Sequence, residues 1–220
     1  MSEKFTLTGG VRIGKAHATY PFADLYVDRN ILKINASLIG KFLFEPKDII
    51  SIDAYSSIPI LGQGIKITHK VENYNQKIIF WTFKDPAFVI NEIKKTGFLE
   101  DNTNTYQTES IKITTTQNQG AFPIKKGIAI LFAIVWNVLF LSDLIPFFMG
   151  HTAKRTPFGN GIHLALGLLF GCSILMALSE KFRKLLLKEG REFSDIKKSI
   201  YFILFISGIM FITYTLTKYQ

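Results

Sequence analysis

Between Gly10 and Lys84 apolar and polar residues alternate with a period of two, whereas from Gly127 onward apolar residues run on with few interruptions. Alternation of this kind marks half-buried strands. It predicts strands at Val11–Ile13, Ala23–Asp28, Ile31–Ala36, Leu38–Phe44, Ile49–Tyr55, Gly64–Lys70 and Lys77–Phe83. Asp28-Arg29-Asn30 and Glu72-Asn73-Tyr74-Asn75 read as hairpin tips, and Pro46-Lys47-Asp48 leads into the next strand. The period then changes. Asp85-Pro86 opens a helix, with Asp as N-cap and Pro in the first turn. Phe88, Ile93 and Phe98 are expected to form its apolar face, and Gly97 to stop it.

The second half carries three apolar segments, at 127–149, 161–178 and 199–217. The first would be about 34 Å long as a helix at ~1.5 Å per residue, enough for a hydrocarbon core of ~30 Å. The other two contain no Asp, Glu, Lys or Arg. A helix that is apolar on every side needs apolar surroundings on every side. The sequence offers no amphipathic helices to sheath three of them inside a soluble core, so they are read as transmembrane helices.

Charge refines this picture. Residues 1–98 hold 13 Lys/Arg against 9 Asp/Glu, and residues 122–220 hold 12 against 5. The second excess sits beside the apolar runs, where positive charge collects on the cytoplasmic side. It is read as a topology signal, and no nucleic-acid partner is expected. The 150–160 loop has only Lys154 and Arg155, whereas 179–198 has seven basic residues. Lys125 and Lys126 precede the first segment. Both observations place the N-terminus in the cytoplasm and the C-terminus outside, in a multi-pass protein of the inner or plasma membrane. MSEKFTLTGG lacks an apolar core of the signal-peptide type, so the β-rich half is expected to stay in the cytosol.

The expected organisation is a β domain at 1–98, a polar linker at 99–124 and a membrane domain at 125–220. The linker, rich in Asn, Thr and Gln, reads as a flexible tether, with Ser110–Thr116 as a candidate extra strand. The helix of the second segment is expected to continue through Ser179–Lys188 as far as Gly190. There Lys181, Arg183, Lys184 and Lys188 are candidate headgroup contacts.

Seven short strands and a terminal helix predict an α+β chain. Its first part is a small antiparallel sandwich or barrel closed by that helix. The segments LYVDRNILKINAS, IGKFLFEPKDIISIDAY and KIIFWTFKDPAFVINEIKKTGF give it a resemblance to the pleckstrin-homology superfold, in particular the bacterial PH-like and GRAM-like domains. The resemblance covers about residues 9–98. It implies a binding or assembly module joined to transmembrane helices, not an enzyme. The expected partners are the lipid bilayer and a protein partner or a second copy; the alternative is a small subunit of a transporter or channel.

Candidate chemistry is sparse. The four histidines, His17, His69, His151 and His163, show no metal-ligand spacing, and the single cysteine, Cys172, lies in an apolar run. No hydrolase, zinc-protease or P-loop pattern occurs, and Gly62-Gln63-Gly64 reads as a turn. No catalytic, cofactor-binding or metal residues are assigned, and no cofactor is expected. Arg12, Lys15 and Arg29 lack the close spacing of a phosphoinositide-binding hairpin. Asn137 and Asp143, polar within the first apolar segment, are the candidate intramembrane polar residues. They lie about 240° apart at ~3.6 residues per turn. Asn137 is expected to bond to a neighbouring helix, and Asp143 to reach the headgroup region.

Overall fold

The computed structural model describes residues 4–56, 63–100, 107–150 and 159–218. It divides into two compact units, Met1–Pro123 and Ile124–Gln220.

The first unit is built on seven strands, β1 (Lys4–Ile13), β2 (Ala16–Asp28), β3 (Leu32–Asn35), β4 (Lys41–Phe44), β5 (Ile49–Ser56), β6 (Gln63–His69) and β7 (Ile78–Trp81). They form one curled sheet in the order β4-β3-β2-β1-β7-β6-β5. All six pairings are antiparallel. Alternation fixes which face is buried: Leu25, Ile34, Phe44, Ile65, Ile67, Ile78 and Phe80 are fully enclosed. The sheet and the apolar helices that follow fit a PH-like domain with membrane spans.

The first two strands are longer than the alternation predicts. The front half of β2, AHATYPF, is largely exposed and offers no apolar rhythm to read. Its pairing to β1 holds it, and the register shifts between Gly9 and Val11. Proline cannot donate to a ladder, so an irregularity opposite Pro21 is where one is tolerated.

Helix α1 (Pro86–Lys95) follows, with Asp85 Oδ1 accepting from Ala87 N–H at 3.1 Å. Gly97, at φ +76°, terminates it in the left-handed conformation that glycine adopts without strain. Val89, Ile93 and Phe98 are buried, whereas Phe88 is 46% exposed. The face is therefore carried by Val89 in place of the expected Phe88, one position round the helix.

The linker also departs from expectation. Residues Gln107–Asn118 form helix α2, so no strand forms at Ser110–Thr116. Gln117 Nε2 donates to Leu43 O at 3.0 Å and to Asp48 Oδ2 at 2.9 Å. Ala121 O accepts from Lys41 N–H at 3.1 Å. The outer edge of β4 is thus covered by residues 117–121, and the compact unit runs on to Pro123. Polar composition suggested a tether; these bonds to an open strand edge supply partners that composition does not reveal. Residues 101–106 of the expected tether lie outside the described residues.

The second unit holds α3 (Lys126–Phe148), α4 (Asn160–Leu178), α5 (Glu180–Leu186) and α6 (Phe193–Lys218). Three of these, α3, α4 and α6, are long and apolar enough to cross a membrane. Helix α4 packs against both α3 and α6. The α4–α6 seam pairs small residues with rings: Gly167 faces Phe211 and Gly208 faces Phe170. Small residues allow this close approach where no hydrophobic force draws helices together.

Helix α4 does not continue past the span. The chain extends at Ser179 (φ −101°, ψ 114°), whose Oγ accepts from Phe182 N–H at 3.2 Å and starts α5. The terminal carbonyls of Met176 and Ala177 accept instead from Arg183 Nη1, at 3.3 and 2.9 Å. Gly190, at φ +74°, lies in the turn between α5 and α6 and does not itself stop the preceding helix. Helix α6 begins six residues before the expected Ser199.

Candidate functional site

On the sheet, Trp81 stands opposite Gly10 of β1 on one side and Gly64 of β6 on the other. Gly64 in turn stands opposite Tyr55 of β5. Phe80 points into the core, so Trp81 lies on the outer face. With no side chains on the glycines between them, the rings of Tyr55 and Trp81 meet edge to face at 5.3 Å across Gly64. The close approach is enforced: a Cβ on Gly64 would overlap the Phe80 carbonyl. Gly64 is therefore a strand residue within β6, not a turn; Gly62 lies outside the described residues.

Tyr20 lies in the irregular stretch of β2 and packs edge to face on Phe83 at 5.2 Å. Tyr20 is 55% and Phe83 73% exposed. Tyr20, Tyr55, Trp81 and Phe83 thus place aromatic surface along one end of the outer sheet face. Two residues along β5, β6, β7 and β1, and three along the irregular β2, runs a second row, with Asp53 opposite Lys66, Lys66 opposite Ile79, Ile79 opposite Arg12 and Arg12 opposite His17. This row carries Lys66, Arg12 and His17 against one acid, Asp53.

The candidate basic triad is not assembled. Lys15 lies in the β1–β2 turn and Arg12 close by, its Nε donating to Gly14 O at 3.3 Å. Arg29 lies in the β2–β3 turn, at the far end of the 13-residue β2. His69 is fully buried against Phe44 and Tyr74. Its Nδ1 accepts from Val71 N–H at 3.2 Å, and its Nε2 lies 2.9 Å from Asn75 O. Burial lowers its pKa, against the opposing pull of the Asn75 carbonyl and Asp48. These bonds make His69 a neutral core residue.

In the second unit a polar node joins three helices. Asp143 Oδ2 of α3 accepts from the backbone N–H of Ile162 in α4 at 2.7 Å. Tyr214 of α6 donates its hydroxyl to Gly159 O at 2.7 Å. His163 Nε2 lies 3.1 Å from Thr215 Oγ1, with its ring against Phe211. Asp143 is thus engaged by a helix end. Asn137 behaves otherwise than expected: its amide donates to Ala133 O, one turn back in its own helix, at 2.7 Å. Its side chain is exposed on the surface of α3. An apolar groove of about 1120 Å³ runs along α4 between Trp136 and Phe140 of α3 and Met210 and Tyr214 of α6.

The structure separates the four headgroup candidates. Arg183 caps α4 and lies over the Phe193 ring at 4.9 Å. Lys184 pairs with Glu180 at 2.7 Å. Lys181 is exposed and Lys188 half-buried. His151, Lys154 and Arg155 lie outside the described residues. Among the described residues no three His, Cys, Asp or Glu side chains come together as a metal site.

Sequence reasoning missed the aromatic row. Its members are spread over residues 20–83, and only the strand register reveals that glycines separate them. No family model matches the chain, and neither a curated protein nor a solved structure matches it.

Proposed function

We propose that the chain is a non-enzymatic, membrane-anchored interaction module of the bacterial PH-like kind, with its β unit on the cytoplasmic side binding a protein partner. The observation that carries this reading is the aromatic row, above all the exposed Tyr20–Phe83 pair. Aromatic side chains combine large contact area with few rotors and dominate the energetics of protein interfaces. The adjoining row of Arg12, His17 and Lys66 suits a partner with acidic groups beside an apolar segment.

Binding to the membrane through this unit is the weaker account. Arg12, Lys15 and Arg29 are not gathered, and each cation near an anionic surface contributes about 1 kcal/mol before screening. Asp143 and Tyr214 bond to the backbone at the start of α4, which supports a structural role for them.

The test is purification of the full chain in mild detergent, with retained proteins compared between wild type and Tyr20→Ser/Phe83→Ser. Both residues are exposed, so the fold should survive. A discrete partner retained by wild type and lost by the variant supports the proposal. An identical retained set from both overturns the role of the row.

A further inference from the structure

Asn137 is the central residue of the 23-residue helix α3, and it is exposed. Helix α4 seats against another side of α3: a Cβ on Gly161 would collide with the Leu139 carbonyl and the Ser142 hydroxyl. Asn137 stands about 160° from Leu139 and about 140° from Ser142 at ~3.6 residues per turn, so it faces away from that seam. Its amide donates one hydrogen to Ala133 O at 2.7 Å. Among the described residues, its second amide hydrogen and its carbonyl oxygen bond to nothing. Ile130, Ile134, Leu141, Leu144 and Phe148 lie on the same side of the helix, at alternating steps of four and three residues with Asn137 in their midst. All but Leu144 are largely exposed.

We propose that this stripe is the docking surface for α3 of a second copy of the chain, with the two Asn137 amides bonded to each other across a two-fold axis. The inference rests on α3 crossing a membrane; it is independent of the aromatic row and of the partner proposed for it.

Hydrogen-bond complementarity identifies the occupant. Set across a bilayer, the middle of α3 lies in the hydrocarbon core, where lipid offers neither donor nor acceptor. The hydroxyls of Ser142, Ser173 and Ser207 each spend their one hydrogen on a carbonyl of their own helix. The Asn137 amide has a hydrogen and an oxygen left over, so what covers it must present both an acceptor and a donor at mid-span, beside apolar surface. A second copy meets that requirement without any further condition. Copies inserted the same way hold Asn137 at the same depth, and two amides related by a two-fold axis satisfy each other, each N–H donating to the other's oxygen. Amide side chains bonding between helices are a recognised adhesive within membranes. Apolar residues at steps of four and three form the seam along which two parallel helices interlock, and a single polar residue in such a seam fixes its register.

Sedimentation equilibrium of the full chain in density-matched detergent measures the association. Wild type should form dimers. Asn137→Leu, which suits the apolar stripe, should weaken dimerisation by about tenfold, and Asn137→Gln, which keeps the amide, should stay within about threefold of wild type. Cross-linking locates the face. In a Cys172→Ser background in native membranes, Leu141→Cys should give a disulfide-linked dimer under copper phenanthroline. Val135→Cys, exposed but about 160° round the helix from Asn137, should not. Circular dichroism of each variant checks that the helices persist. A monomeric wild type, unchanged dimerisation of Asn137→Leu, or equal cross-linking from positions 135 and 141 overturns the proposal. A cross-link from position 141 to a different protein alone overturns the assignment to a second copy.

Discussion

Asp143 supplies from α3 the cap that α4 lacks: its carboxylate accepts from Ile162 N–H at 2.7 Å, whereas the N-cap position is Gly159, which has no side chain. The first backbone donors of a helix have no intrahelical acceptors and need others. Asp143→Ala should therefore destabilise the membrane unit by about 1 kcal/mol, and Asp143→Asn, which keeps an acceptor oxygen, by less. Thermal unfolding in detergent measures this. Equal melting of wild type and Asp143→Ala would remove the capping role.

Gln117 makes a second connection of this kind, from α2 to Leu43 O and Asp48 Oδ2. Loss of both bonds should cost about 1–3 kcal/mol, because the buried Asp48 carboxylate loses a donor. Gln117→Ala should accordingly raise hydrogen exchange at the amide of Lys41, whose acceptor is Ala121 O, and lower the urea midpoint of the first unit. Unchanged exchange there would mean that residues 117–121 do not secure the β4 edge.

His69 gives the first unit an acid limb. Its folded pKa lies below the usual 6.5 because it is buried, so the unfolded chain takes up the proton first as pH falls. Stability is full above about pH 6.5 and declines below it, until the folded histidine also protonates. Protonation would also break the Val71 N–H bond to Nδ1. Urea midpoints should fall from about pH 7 to about pH 5.5 in wild type and fall less steeply in His69→Phe. Identical slopes would assign the acid limb to other groups.

The unequal basic loops predict labelling. In a Cys172→Ser background, Thr152→Cys should react with an impermeant maleimide added to intact cells, and Lys184→Cys should not. The opposite result would invert the proposed orientation.

Much of the architecture was legible in the sequence because it depends on local periodicity. Alternation located all seven strands, and length with composition located the three spans. What it left out depends on pairing. The front half of β2 has no apolar rhythm, α2 reads as polar linker, and the break at Ser179 rests on Arg183 taking over the carbonyls of α4. The sites behave alike. Asp143 stood out as a carboxylate within an apolar run, but its partner is 19 residues away. The aromatic row exists only once Gly10 and Gly64 flank Trp81.

The measurement that bears most directly on the proposed role is photo-crosslinking in intact cells, with a photoreactive phenylalanine analogue in place of Phe83. Glu72, exposed in the β6–β7 connection at the other end of those strands, serves as the control position. A discrete adduct of protein mass from position 83, absent from position 72 and abolished by Tyr20→Ser, is the expected result. Adducts of lipid mass alone, or the same protein adduct from both positions, would contradict a protein-binding surface at the aromatic row.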